Sequence, residues 1–407
     1  MKRVAAADFE QVFDIDTLRE PAALAAMQTF YQTHGVVCIS LERKIDVREV
    51  VGEMLESLMG DLPYSDEYML SLRSASGREL HIKNRDDRED MITELLRSPI
   101  SPVNLKRLEL AVPPHREFGA PCTAQSFHGA WANRLRQDPD IYEVVVALLG
   151  STDINCDLNR SILLIPGQGQ HKMLHWDCDP RAQTSDADSH IQGKVLFTPS
   201  KFVCVPGTHT KKFLDEFYPL YDPLYPKRPA GQAMYGLDPA RDPLGLFEQE
   251  RAFTVPARSL VLWNTKLLHG HPKLRRDEGI SFGCYLGFHP EISAAERAVR
   301  QALHREGAVP QKWPSGAAIS FFPRKYYNFP KVFESMVIKK LSEQAREQLL
   351  ATRVTTKGDI VKSVRPWGWK PGSYTPFDFT PLGKRIAGLE AWGSGGERAA
   401  KRAHGVP

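Results

Sequence analysis

Through the first third of the chain, apolar residues recur at helical spacing. In "EPAALAAMQTFYQTHG" the pattern closes on Gly35, in "VREVVGEMLESLMG" on Gly60 and in "PDIYEVVVALLG" on Gly150, a residue type that stops helices. Between the first two, "GVVCISL" has the apolar density of a short strand. From about Ile154 to Phe288 the period shortens. The runs "INCDLNRSILLIPG", "LHWDCD", "KVLFT", "KFVCVPGTH", "RAFTVP", "SLVLWNTKLLHG" and "GISFGCYLGF" are β-type and separated by turn residues. Beyond residue 291 helical spacing returns, and the tail "VRPWGWKPGSYTPFDFTPLGKRIAGLEAWG" is rich in Pro, Gly and aromatics.

Many short strands that do not alternate with helices predict a mainly β protein with flanking helices, a jelly roll rather than a doubly wound sheet. The expected organisation has a mostly helical region over 1–150 packing on the barrel and a β core over 151–290. A helical segment over 291–350 and an irregular tail over 351–407 follow. At 407 residues and 42% hydrophobic content, the chain can bury a large core in one elaborated domain or two. Its net charge of +4 is too mild to argue for nucleic acid. No apolar run approaches the length of a membrane span, and "MKRVAAADFEQVFDID" lacks the apolar centre of a secretory signal. Six scattered cysteines without paired zinc-type spacing suit a reducing compartment, so a cytoplasmic location is expected.

Candidate chemistry begins in "QHKMLHWDCDPR", where His175 stands two positions before Asp177. With 13 histidines and 49 acidic residues in 407 positions, roughly one and a half such pairs arise by chance. The chain holds three others, His115 with Glu117, His289 with Glu291 and His304 with Glu306. The last lies in a helical pattern, where residues two apart point to different sides, and His289-Pro290-Glu291 reads as the start of a helix. The apolar run "SILLIPGQGQ" gives His175 and Asp177 a strand context instead, so both can face one cavity while Trp176 faces away.

A third ligand is sought on a later strand. In "SLVLWNTKLLHGHPKLRR", alternation puts Val261, Trp263, Thr265, Leu267 and His269 on one face. His271 shares that parity but follows Gly270 and precedes Pro272, where the strand is expected to end, so it ranks second. Two His and one carboxylate with open positions suit non-haem Fe(II), the open positions taking O₂ and a co-substrate; zinc could use the same ligands. In "RRDEGISFGCYLGF" the apolar face carrying Ile280, Phe282 and Cys284 extends back to Arg276. A guanidinium on an inner face is suited to a carboxylate, and Arg275 is the alternative.

"HWD", then "VPGTH", then "ARSLVLWNTKLLHG", then Arg before a β-run resemble the phytanoyl-CoA dioxygenase-like branch of the Fe(II)/2-oxoglutarate oxygenases. "TFYQTHGVVCISL" resembles that branch's opening, and the likeness covers roughly residues 25 to 290. It implies a cupin-like double-stranded β-helix, with His175, Asp177 and His269 on iron and Arg276 on the C5 carboxylate of 2-oxoglutarate. Arg276 follows His269 more closely than the family pattern has it.

The reading is an Fe(II)- and 2-oxoglutarate-dependent dioxygenase that hydroxylates a small metabolite or acyl derivative, releasing succinate and CO₂. A protein or nucleic-acid substrate stays open. The rivals are a non-catalytic jelly-roll binding protein and a metal-dependent cupin-like enzyme without 2-oxoglutarate. The polar stretch "CDPRAQTSDADSHIQG", Cys178 to Gly193, is expected to form a lid with Arg181 toward an anionic substrate.

Overall fold

The computed structural model describes residues 11–55, 70–111, 129–157, 161–167, 174–178, 190–225, 233–270, 274–306, 309–310, 363–364 and 375–393. In chain order the strands are β1 (Val12–Asp14), β2 (Val36–Ser40), β3 (Ser71–Arg73), β4 (Glu79–His81), β5 (Ile154–Cys156), β6 (Ser161–Leu164) and β7 (His175–Cys178). They continue as β8 (Ile191–Leu196), β9 (Ser200–Cys204), β10 (Ala233–Gly236), β11 (Arg251–Val255), β12 (Ser259–Asn264), β13 (His269–Gly270) and β14 (Ser281–Pro290). Two sheets organise most of them. The larger runs β1-β2-β12-β8-β14-β5, with β6 also paired to β14; the smaller runs β10-β7-β13-β9-β11. The β3–β4 hairpin stands apart.

A layer of buried side chains drawn from both sheets lies between them. Val36, Cys38, Ile162, Leu164, Leu196, Val261, Trp263 and Tyr285 come from the larger sheet, and Phe202, Cys204, Phe253 and Val255 from the smaller. The outer face of the larger sheet is covered by helices α1 (Pro21–His34), α2 (Val47–Leu55), α3 (Arg88–Leu95), α4 (Pro102–Ala111), α5 (Ala130–Arg136) and α6 (Pro139–Leu149). Apolar cover on both faces explains why β12 and β14 carry apolar side chains on both faces rather than alternating ones. On the smaller sheet, α7 (Lys211–Tyr221) lays Phe213, Phe217 and Tyr221 over Trp176, Val203 and Leu268.

Local signals place several boundaries. Gly35 and Gly150 end α1 and α6 in the left-handed region, with φ of 77° and 68°. Asp138 caps α6 by accepting from the N–H groups of Asp140 and Ile141 at 2.9 and 3.1 Å. Gly60 lies outside the described residues. The first 150 residues are not only a helical layer, because β2 pairs with β12 from Val36–Trp263 to Ser40–Ser259 and so belongs to the larger sheet. Toward the C-terminus, α8 (Ala294–Glu306) follows β14, and a short α9 (Pro381–Ile386) appears where irregular chain was expected. Thr380 caps α9 through its hydroxyl, which accepts from Gly383 N–H at 3.0 Å, and buries Ile386 behind the sheet. Among the described residues no helix is long and apolar enough to cross a membrane.

Candidate metal centre

The centre is built where β7 and β13 pair. His269 is the register partner of His175 in an antiparallel ladder, so their side chains leave the same face of the sheet. Their ring centroids lie 4.6 Å apart, and the residues are only 4% and 1% exposed. Trp176 turns the other way, as alternation requires: it packs edge-on against Phe217 at 5.0 Å and donates from Nε1 to the carbonyl of Lys266 at 2.7 Å. Asp177 follows two positions after His175 on β7; its side chain, and the whole of His271, lie outside the described residues. Among the described residues no group of three His, Cys, Asp or Glu side chains gathers to hold an ion. The described part of the centre is therefore the histidine pair.

One ring of the pair has its orientation fixed by the backbone. His269 Nδ1 lies 3.0 Å from the carbonyl oxygen of Leu267. A carbonyl can only accept, so Nδ1 carries the hydrogen and Nε2 of the neutral ring keeps its lone pair. Such a bond to the rear nitrogen is how a metal-ligating imidazole is usually oriented. Phe202 and Trp263 pack beside this ring at 6.1 and 5.3 Å, and Trp263 is fixed in turn by its Nε1–H bond to Gln192 Oε1 at 2.8 Å. By donor type, two imidazoles together with a carboxylate such as that of Asp177 suit Fe(II), and suit zinc equally.

His269 reaches this place by a route the alternation did not disclose. Strand β12 stops at Asn264, whose carbonyl and side-chain oxygens accept from Leu267 N–H at 2.8 Å and Lys266 N–H at 2.9 Å. That turn carries the chain from the larger sheet to the smaller, so the expected single strand is two strands joined at a corner. Parity survives the corner. Val261, Trp263 and Leu267 all lie in the layer between the sheets, whereas Leu260 and Leu262 face the helices and Leu268 lies under α7.

Arg276 stands elsewhere than expected. It occupies an exposed turn ahead of β14, its side chain running along Gly167, where an added Cβ would sit 2.8 Å from Arg276 Cγ. Arg275 is also outward, paired with Asp277 at 2.8 Å. The face of β14 that carries Phe282, Cys284, Leu286 and Phe288 packs against the helical layer, while Tyr285 belongs to the layer between the sheets. The more apolar face was thus the outer one. A strand covered on both sides does not reveal its inner face by apolarity. The lid expectation is also narrowed: Cys178 closes β7 and Ile191 to Gly193 open β8, and residues 179–189, with Arg181, lie outside the described residues.

A cation does stand between the sheets, and the sequence reading passed over it. Lys194, in the middle of β8, is 2% exposed and pairs in register with Val261 on one side and Tyr285 on the other. Its ammonium donates to the carbonyl of Lys201 at 3.2 Å and lies 5.1 Å from the centroid of Phe202, the same ring that stacks near His269. Burial pushes its pKa down to about 7. The signal was a single charge two positions after Gln192 in the β-type stretch "IQGKVLF". His209 lies away from this centre: its Nε2 is 3.1 Å from the carbonyl of Gln32 and its ring packs on Gly35.

No family model matches the chain, and neither does any curated protein. Among solved structures, hypothetical protein JW0805 from Escherichia coli is similar at 12% identity and TM-score 0.47, covering 76% of this chain and 80% of that one. The non-heme alpha ketoglutarate dependent epimerase SnoN from nogalamycin biosynthesis is similar at 13% identity and TM-score 0.37, with 67% and 84% covered. EctD from S. alaskensis, crystallised with 2-oxoglutarate and 5-hydroxyectoine, is similar at 12% and 0.35, with 65% and 76% covered. Similarities of this size leave the chemistry of the site to be argued from its own residues.

Proposed function

We propose that this chain is an Fe(II)- and 2-oxoglutarate-dependent oxygenase on a double-stranded β-helix, hydroxylating a small metabolite or acyl derivative. The observation that carries the reading is the buried pair of His175 and His269, opposed across β7 and β13, with Asp177 two positions along the same strand as His175. The likeness of "HWD" and the distal-histidine segment to the phytanoyl-CoA dioxygenase-like branch supports the same assignment.

In this reading His175, Asp177 and His269 hold the iron. With 2-oxoglutarate and O₂, that iron supplies an oxidative decarboxylation to succinate and CO₂ coupled to oxidation of the substrate. The chain's own part is positional. Register fixes the two imidazoles, the Leu267 carbonyl fixes one tautomer, and the rings of Phe202 and Trp263 keep water from one side of the centre.

The test is anaerobic Fe(II) titration with 2-oxoglutarate, followed by aerobic assay of succinate. A weak visible charge-transfer band, lost in His175→Ala and in Asp177→Ala, is the expected result, together with succinate that requires 2-oxoglutarate. Metal binding without the band would move the reading to a cupin-like metalloenzyme that does not use 2-oxoglutarate. Absence of metal binding would move it to a jelly-roll binding protein.

A further inference from the structure

Lys194 poses a problem that the metal centre alone does not solve. It is buried between the two sheets, and among the described residues no carboxylate pairs with it. Among the described residues one protein acceptor meets its three N–H groups, the carbonyl of Lys201. An ammonium left in an apolar layer is costly unless it is paired. Its titratable neighbours do not supply a charge. Cys38 of β2, across β12, has its thiol held neutral by burial, which pushes its pKa up to about 12. Tyr285 of β14 is its register partner and brings a phenol rather than a carboxylate. On the smaller sheet the nearest identified ring is Phe202, with His269 beyond it.

The surroundings are those of a ligand rather than of a core ion pair. One aromatic ring, Phe202, is shared by Lys194 and His269, so the ammonium lies in the same inter-sheet layer as the metal-facing histidines. Both arginines that could have served a carboxylate from β14 lie in the exposed turn before it. The inner positions that open that strand are Ser281 and Gly283, which carry no charge. The interior of the barrel therefore has one described cation with free donors.

We propose that Lys194, and not Arg276, is the residue that holds the remote carboxylate of the 2-oxo acid co-substrate. This rests on the reading of the site as a 2-oxoglutarate oxygenase. The proposal makes Lys194 a binding and specificity-determining residue. The keto-acid end of the co-substrate goes to the metal, the distal carboxylate meets the ammonium, and a 2-oxo acid lacking that carboxylate leaves a buried charge unmet.

Isothermal titration of the full chain, loaded anaerobically with Fe(II), tests this with two ligands, 2-oxoglutarate and 2-oxobutyrate, which lacks the distal carboxylate. Wild type is expected to prefer 2-oxoglutarate by more than about tenfold. In Lys194→Met that preference should collapse to within about twofold while Fe(II) affinity is kept, and Arg276→Ala should keep the preference. Thermal melting of the metal-free proteins supplies a second reading: Lys194→Met should melt no lower than wild type, because it removes a buried charge of nearly equal volume. Retained preference in Lys194→Met, or its loss in Arg276→Ala alone, overturns the proposal. A Lys194→Met chain that melts well below wild type and binds Fe(II) poorly also overturns it, showing a structural lysine. If wild type binds Fe(II) but not 2-oxoglutarate, the reading of the site falls, and the anchor with it.

Discussion

His175 and His269 are directly opposed in the β7–β13 ladder, and this register sets the spacing of the two rings at 4.6 Å. A metal held by them bridges two strands that come from distant parts of the chain. Binding should therefore stabilise the fold: an ion present at a hundredfold over its Kd adds about 2.7 kcal/mol. We expect Fe(II), under anaerobic conditions, to raise the melting temperature of the wild type. The shift should vanish in His269→Ala and in His175→Ala, as read by calorimetry. A shift that persists in both variants would place the metal elsewhere.

Lys194 predicts a pH dependence of stability whose sign follows from its burial. Its pKa is about 7 in the folded chain against 10.5 when exposed. Between those values the unfolded chain holds a proton that the folded chain does not, so stability rises as pH rises through this window. Below about pH 7 both states are protonated and the contribution is flat at its least favourable level. Denaturant titrations from pH 6 to 10 should show this rise in the wild type relative to Lys194→Met. Parallel curves for the two proteins would mean that the ammonium is solvated or paired.

The opposite trend is expected for the co-substrate. An anion on Lys194 favours the protonated form, so 2-oxoglutarate affinity should be greatest below about pH 7 and fall as the pH passes it. Titrations at pH 6.5 and 8.5 check this; equal loss in Lys194→Met would assign the effect to another group.

How much of this could be read from the sequence depended on what flanked each residue. His175 and His269 were legible because turn signals framed their strands and because alternation survived even the corner at Asn264. The inner face of β14 was not, since Phe282 and Tyr285 are both buried and only the choice of covering layer separates them. Lys194 was hidden for a different reason: it alternates with Gln192 along β8, a polar face that reads as solvent-exposed although both side chains are buried. The short α9 was masked by surrounding prolines and aromatics, although Thr380-Pro381 is a cap followed by a first-turn proline. Distant partners such as His209 on Gly35 leave no trace in local pattern.

That contact separates two costs of substituting a glycine. Gly35 and Gly150 both have positive φ, but a Cβ at Gly35 would lie 2.5 Å from His209 Nδ1, whereas one at Gly150 would meet nothing within 4 Å. Gly150→Ala should cost the conformational strain alone, about 1–2 kcal/mol. Gly35→Ala should cost more, because the ring it displaces also bonds the carbonyl of Gln32. Chemical denaturation compares them, and equal losses would show that His209 swings away freely.

Arg300 joins the C-terminal helices to the edge of the larger sheet. Buried at 3% exposure, it donates to the carbonyl of Cys156 at 2.7 Å and pairs with Glu296 at 3.2 Å and Asp157 at 3.5 Å. His289 closes the group, its Nε2 3.1 Å from Asp157. Removing the guanidinium would take the charged partner from two buried carboxylates, a loss that typically costs about 3–5 kcal/mol. Arg300→Met, which keeps the length of the side chain, should therefore be strongly destabilising at neutral pH. Urea titrations of wild type, Arg300→Met and Arg300→Lys, which keeps a positive charge, measure the loss and its origin. A loss as large in Arg300→Lys as in Arg300→Met would trace the damage to packing and the carbonyl bond rather than to charge.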